Sequence, residues 1–368
     1  MPQRCSVCIL PANLPGIDLD KNGKCKYCRD AESDTRTNSG LPSSQTRERF
    51  EKIVRHFRGK GKYECLVPLS GGKESSYILY VLVKEYGLRP LVFNFSNGFQ
   101  HVDAVNNIEN LVDQLGVDLV IYRPDQRLLH SLMQVFLSKA GEFCTPCNML
   151  ISATSFRLAK QNNIEAIMSG NAMGTNPGLE GVSPALYHDR RYYLNVAKDL
   201  LRRRDRNYYM NPPYILTAIR RLLGTEAQVI NVLDYLRPSL KEIHDTLESI
   251  KWKRPAGEIQ HGDCLLNPIK DYLMCRKWGC SELTAIYSVL VRNGEMCRED
   301  ALVRAAAEEH TKAPHILPDF LEAIGMRESE FNEALQRDFR EIPNMRTSIV
   351  FRFAKKVIQK VDLLRGRR

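Results

Sequence analysis

Three features of this 368-residue chain have residue types and spacings suited to chemistry: one glycine-rich turn and two sets of cysteines. The turn is Pro68-Leu69-Ser70-Gly71-Gly72-Lys73-Glu74-Ser75-Ser76, between a strand predicted at Glu64–Leu69 and a helix predicted at Lys73–Lys84. Adjacent glycines let backbone N–H groups close around an anion, and the helix start adds unpaired donors. Ser70, Lys73, Ser75 and Ser76 contribute hydroxyls and a cation, and Glu74 a carboxylate. The turn reads as a cradle for a nucleotide pyrophosphate group, although most Gly-Gly turns only reverse the chain. Neither G-x-x-x-x-G-K-[ST] nor G-x-G-x-x-G occurs here, which excludes the Walker and dinucleotide-binding readings of the turn.

Cys5 and Cys8 form one CxxC pair and Cys25 and Cys28 another, sixteen residues later. Each pair can direct two thiolates at one ion, and four thiolates close a tetrahedral shell, so a structural zinc ribbon is expected with no open position for substrate. A second set begins with Cys144-Thr145-Pro146-Cys147, predicted at a helix start, where the helix dipole should lower the thiol pKa. Cys264, in Gln260-His261-Gly262-Asp263-Cys264, is the best third member. Three such cysteines could hold a [4Fe–4S] cluster with one iron open, or run persulfide chemistry. The alternatives are packing, or a second zinc shared with a histidine. Cys65, Cys275, Cys280 and Cys297 lie in apolar or helical patterns and read as core or incidental.

The elements that must position these residues alternate. Residues 1–45 read as the ribbon and a polar linker, 46–236 as a nucleotide-binding domain, and 237–368 as a mainly helical domain. Strands are predicted at Glu64–Leu69, Pro90–Phe95, Asp118–Tyr122 and Glu165–Ser169, and helices at Arg47–Phe57, Lys73–Lys84, Val102–Leu115 and Asn148–Gln161. Such alternation implies an α/β fold with a doubly wound parallel sheet, whose ligands lie beyond the C-terminal strand ends. The loops there are Ser70 to Ser76, Ser96-Asn97-Gly98, Arg123-Pro124-Asp125 and Ser169-Gly170-Asn171-Ala172. Asn97, Gly170 and Asn171 are therefore candidate nucleotide contacts, with ordinary turn chemistry as the alternative.

Lys and Arg outnumber Asp and Glu by 53 to 43, a net charge of +10 that favours anionic partners such as ATP, phosphorylated sugars or RNA. The basic runs Arg202-Arg203-Arg204 and Lys355 to Arg368 read as solvated faces before nucleic-acid grooves. No apolar run reaches transmembrane length and no signal-peptide core is present, so a cytoplasmic protein with no membrane partner is expected. Eleven cysteines then argue for metal rather than a disulfide framework.

The turn resembles the S-G-G-x-D-S motif of the PP-loop ATP pyrophosphatases, with Glu74 standing where that family usually has Asp. Cys5-Ser6-Val7-Cys8-Ile9-Leu10-Pro11, Asn22-Gly23-Lys24-Cys25 and the stretch Asp263 to Glu299, containing Lys277-Trp278-Gly279, Arg292-Asn293-Gly294 and Arg298-Glu299, extend the likeness. Together they resemble the N-acetyl sugar amidotransferase group of PP-loop enzymes over nearly the whole chain. The resemblance implies a HUP-type fold, use of ATP and Mg2+, adenylation of a carbonyl or amide oxygen, and displacement of AMP by a nucleophile. Lys73 and Mg2+ would neutralise phosphate charge, Gly71, Gly72 and Ser75 would position the phosphates, and Asn97 and Asn171 would fix the adenosine.

In the sugar-modifying members the nucleophile is ammonia from a separate glutaminase, which turns an acetamido into an acetamidino group. The added cysteines Cys144, Cys147 and Cys264 instead resemble those of sulfur-inserting PP-loop enzymes. An ATP-dependent sulfurtransferase acting on a small amide, nucleobase or RNA is thus the first expectation, with an outside sulfur donor. The sugar amidotransferase is the second, and a zinc-ribbon RNA-binding protein with a vestigial nucleotide site the third. A homo-oligomer is expected in each case.

Overall fold

In the computed structural model, residues 3–14, 17–33, 43–170, 190–202, 205–254, 262–309 and 311–338, with 342 and 357, are described. Five strands, β1 (Cys65–Pro68), β2 (Pro90–Phe95), β3 (Asp118–Tyr122), β4 (Ala166–Ser169) and β5 (Gln228–Asn231), form one sheet in the order β3-β2-β1-β4-β5. Every pairing is parallel. Helix α1 (Lys26–Ser33) follows the N-terminal cysteines, and α2 (Ser43–Phe57), α3 (Lys73–Lys84), α4 (Val102–Leu115), α5 (Gln126–Ala140) and α6 (Thr145–Gln161) surround the sheet.

The central strands are apolar apart from the buried Asn94, which donates to Leu69 O at 2.8 Å, because both faces are covered. Cys65, Val67, Val92, Ala166, Met168 and Ile230 point to one side, where Phe50, Val54, Ile78, Leu82, Leu111 and Leu247 close the core. Leu66, Leu91, Phe93 and Ile167 point to the other, against Leu129, Met133, Leu150, Ile269, Leu273 and Phe320. Helices Asn267–Trp278, Leu317–Ile324 and Glu328–Ala334 thus cover the same sheet face as α5 and α6. Among the described residues no helix is long and apolar enough to cross a membrane.

The predicted strands and the helices α3 and α4 stand where expected. Helix α2 begins four residues earlier than the predicted Arg47, and α6 three earlier than Asn148, because Pro146 suits the first turn of a helix. Strand β5 was not expected: its four residues, Gln228-Val229-Ile230-Asn231, give too short an apolar pattern, and Val229 is exposed on this edge.

Candidate active site

With strand order 3-2-1-4-5, chain connections leave β1 for β2 on one side, while β4 lies on the other. The switch point therefore falls between the C-terminal ends of β1 and β4. The glycine turn follows β1 and Gly170 follows β4, so both lie at that crevice. They touch: a Cβ on Gly170 would sit 3.2 Å from Ser75 N and 3.3 Å from Ser75 Cα. Gly170 thus permits the two loops to meet at the start of α3. Asn171 lies outside the described residues.

The turn is braced by its own side chains. Ser75 Oγ accepts from Ser70 N at 3.2 Å and lies 3.1 Å from Ser70 Oγ, and Gly72 N donates to Ser70 Oγ at 3.3 Å. The carbonyl of Gly71 accepts from Trp252 Nε1 at 2.9 Å and from Asn107 Nδ2 at 3.4 Å. Asn107 also bonds both the N–H and the carbonyl of Lys253, which lays the exposed Lys253 and Arg254 alongside the turn. Gly71 has φ +83 and Gly72 caps α3 in extended conformation. Lys73 is buried, with Nζ 2.8 Å from Glu74 Oε1. Ser76 is fully buried, and among the described residues its Oγ has no partner. The arrangement offers an anion the start of α3.

The second cysteine set assembles at the same sheet edge. Gln100 and Cys264 form an antiparallel bridge, Leu265 N donates to Phe99 O at 2.8 Å, and His101 N donates to Asp263 O at 3.2 Å. These bonds stitch residues 263–265 to the loop after β2. Asn97 Oδ1 accepts from Phe99 N at 2.8 Å, which turns its amide NH2 toward Cys264 Sγ, 3.7 Å away, and toward Cys147. Asn97, expected at the adenosine, faces the thiols instead. Cys144 caps α6, and its thiol lies within electrostatic reach of Cys147, Cys264 and Lys270.

The helix start does not make these cysteines thiolates, contrary to the expectation from sequence. Burial pushes all three thiols up: Cys144 well above its ordinary range, Cys147 similarly, and Cys264 to about 11, where the Asp263 charge adds to the effect. Desolvation outweighs one helix dipole. Iodoacetamide labelling of Cys264 in reduced, metal-free protein should therefore speed up about tenfold per pH unit from about pH 7 to about pH 9. Peptide-resolved mass spectrometry reads this, and a plateau below about pH 8 would contradict the burial argument.

Glu142 and Lys270 border the three thiols. Glu142 accepts from Thr145 N at 3.1 Å and from Tyr192 OH at 2.9 Å, and burial pushes its carboxyl up. Burial works against the charge of Lys270, but Glu282, its ion-pair partner, and Asp271 outweigh it and hold the pKa above the usual lysine range.

The N-terminal cysteines form the tightest group. Ligand atoms of Cys5, Cys8, Cys25 and Cys28 lie within 4.8 Å of one another, the only such set among the described residues. Cys5 Sγ to Cys28 Sγ and Cys8 Sγ to Cys25 Sγ are each 3.8 Å. A tetrahedron with Zn–S bonds of ~2.3 Å has edges of about 3.8 Å, so the residues fit the metal. Val7 N and Cys25 N both point at Cys5 Sγ, at 3.4 and 3.3 Å, as donors that stabilise thiolate charge. The thiol hydrogen bonds from Cys25 and Cys28 pull Cys8 down to about 2, while those from Cys25 and Cys8 drive Cys28 far up. Four thiols this close ionise together only around a cation.

This ribbon docks on Met274, Trp278, Cys280 and Ala285, and Arg298 donates to the carbonyls of Cys5 and Cys8 at 3.1 to 3.3 Å. Lys277 donates to Gly141 O at 2.6 Å, just before Cys144. The residues Lys277-Trp278-Gly279 and Arg298 thus connect the ribbon to the three-thiol site.

Residues 250–357 match the C-terminal domain of WbpG-like LPS biosynthesis proteins. That match begins at the strap over Gly71 and includes Asp263, Cys264 and Arg298. The likeness covers the C-terminal part of the chain, and the glycine turn lies outside it. An uncharacterized protein of Methanocaldococcus jannaschii is 25% identical over 299 residues, covering 81% of this chain and 91% of that protein. Solved structures that overlay include the U34-tRNA thiolase NcsA from Methanococcus maripaludis with its [4Fe-4S] cluster, at TM-score 0.35 and 13% identity, covering 86% of this chain and 98% of that one. The NH3-dependent NAD synthetase from Campylobacter jejuni overlays at TM-score 0.29 and 11% identity, covering 60% of this chain and 100% of that one. Overlays this loose establish no shared activity.

Several residues around the glycine turn left no signal in the sequence. Asn107 and Trp252 reach Gly71 from positions 36 and 181 residues away, and Lys270 reaches the thiols from a helix of the C-terminal domain. Only Asp263 had a local hint, its place beside Cys264.

Proposed function

We propose that the protein is an ATP-dependent, AMP-forming transferase that adenylates a carbonyl or amide oxygen and replaces it with sulfur. The observation that supports this reading is Asn97, whose amide lies 3.7 Å from Cys264 Sγ and also reaches Cys147, with Cys144 within electrostatic reach of both thiols. The acceptor oxygen attacks the α-phosphorus, the α–β bridging bond breaks, and pyrophosphate leaves toward Gly71, Gly72 and Ser75. An amide oxygen is a poor leaving group, whereas AMP is a good one. Lys73 would offset the charge that develops on the phosphates, and Mg2+, when bound, would supply further charge neutralisation there. A sulfur nucleophile then takes the carbon and AMP departs with the oxygen.

The three thiols fit a [4Fe–4S] cluster: three sulfur ligands, desolvated and apolar surroundings, and a neighbouring ammonium on Lys270 to offset ligand charge. A cubane also spreads its cysteine sulfurs wider than a single ion does, consistent with a looser set than the ribbon's four. Bound there, the cluster would supply an open iron for the incoming sulfur. Asn97 would orient Cys147 and Cys264, and Glu142 would hold the start of α6. The ribbon is assigned one zinc and a structural role.

The second reading, transfer of ammonia to an N-acetyl sugar, is favoured by the match to a family named for LPS biosynthesis. One experiment separates the readings. Protein purified anaerobically should contain iron and sulfide, and Cys144→Ala, Cys147→Ala or Cys264→Ala should each lose them while ATP–pyrophosphate exchange with acceptor persists. Iron-free protein that is active with ammonia would establish the amidotransferase. Absence of exchange with any sugar, amide or RNA acceptor would leave the ribbon-type RNA-binding protein.

A further inference from the structure

Asp263 poses a problem of charge within the nucleotide site. A Cβ on Gly72 would lie 3.5 Å from Asp263 Oδ2 and 3.6 Å from Asp263 Cβ, so the carboxylate faces the PP-loop at the cap of α3. Its backbone is held there on both sides, by His101 N on the Asp263 carbonyl at 3.2 Å and by the Gln100–Cys264 bridge. The residue is half-buried, and among the described residues no lysine or arginine forms an ion pair with it. A carboxylate in an anion cradle opposes phosphate by like-charge repulsion.

A small hard cation between them reverses the sign. Mg2+ is commonly held by one or two carboxylates together with substrate phosphates. The other acidic side chain of the loop, Glu74, is already engaged with Lys73, 2.8 Å away. We propose that Asp263 is the protein's magnesium ligand, holding the ion between its carboxylate and the phosphates seated on the PP-loop. The proposal rests on the reading of that loop as the ATP site. Because Asp263 and Cys264 are consecutive, an ion held there also ties the nucleotide to the segment that carries the third thiol.

The test uses the full-length protein, α,β-methylene-ATP, which cannot be cleaved at the reacting bond, and Mn2+ in place of Mg2+. Trp252 reports analogue binding in EDTA by fluorescence, since its Nε1 bonds Gly71 O. Mn2+ affinity of the protein–analogue complex is read by electron paramagnetic resonance. Asp263→Asn should weaken Mn2+ about tenfold or more while analogue binding in EDTA is unchanged or tighter, and Glu74→Gln should keep wild-type Mn2+ affinity. Asp263→Ala removes every side-chain donor and should match Asp263→Asn, with an unchanged ribbon metal content certifying the fold. Unaltered Mn2+ affinity in both Asp263 variants overturns the assignment while leaving the ATP site intact. Failure of the wild type to bind the analogue with or without Mn2+ overturns the ATP site, and the assignment with it.

Discussion

Gly71→Ala should be poorly folded, and Gly72→Ala should fold but bind ATP weakly. Both positions look alike in the sequence, and the natural expectation is that any Cβ at either would block phosphate. The structure separates them. A Cβ on Gly71 would lie 2.8 Å from the Ala104 carbonyl carbon, and closer still to its oxygen, with φ at +83. Both the collision with α4 backbone and the left-handed conformation count against it, for a loss on the order of 3–5 kcal/mol. That is a large part of the ~5–15 kcal/mol that holds a typical domain folded. Gly72 is extended, and the nearest atoms to its Cβ position are Ser70 Oγ at 3.3 Å and Asp263 Oδ2 at 3.5 Å. Alanine there should cost about 1 kcal/mol or less in stability, yet it stands where the proposed phosphate and cation site lies. Urea midpoints and ATP titrations of the two variants check the pair. Equal stability for both would mean that the PP-loop does not rest on α4.

Loss of the ribbon metal should be the other large effect. Structural zinc in small four-ligand sites contributes an apparent ~10–16 kcal/mol near neutral pH, and that energy is folding energy. Cys25→Ser should abolish one bound zinc per chain and lower solubility, because Leu10, Leu14 and Ile17 would lose their packing against Met274 and Ala285. The damage should extend beyond the ribbon. Arg298 would release the Cys5 and Cys8 carbonyls, and Trp278, whose carbonyl accepts from Asn13 at 2.8 Å, would be uncovered. Zinc content by mass spectrometry and Trp278 emission follow the two parts of this expectation. Unchanged zinc in Cys25→Ser would remove the four-thiolate site. Turnover per folded molecule should change little, since no ribbon thiol reaches the PP-loop.

Strands β1 to β4 and helices α3 and α4 were legible in the sequence because each is a run of one periodicity with a breaker at its end. Pro90–Phe95 is buried at all six positions, and Val102–Leu115 stops at Gly116, whose left-handed conformation glycine adopts at least cost. The glycine turn and the clustering of Cys5, Cys8, Cys25 and Cys28 were legible for a similar reason: each lies within a few consecutive residues, and the two CxxC pairs already bring four thiols together. Strand β5 was not, since four residues at an exposed edge earn their place by pairing with β4 rather than by local preference. What only the tertiary structure decided is which distant residues meet. The bridge between Gln100 and Cys264 sets Cys264 beside Asn97, which also reaches Cys147, and sets Asp263 over Gly72. Burial, which no local pattern encodes, then reverses the ionisation that a helix start alone would favour at Cys144 and Cys147.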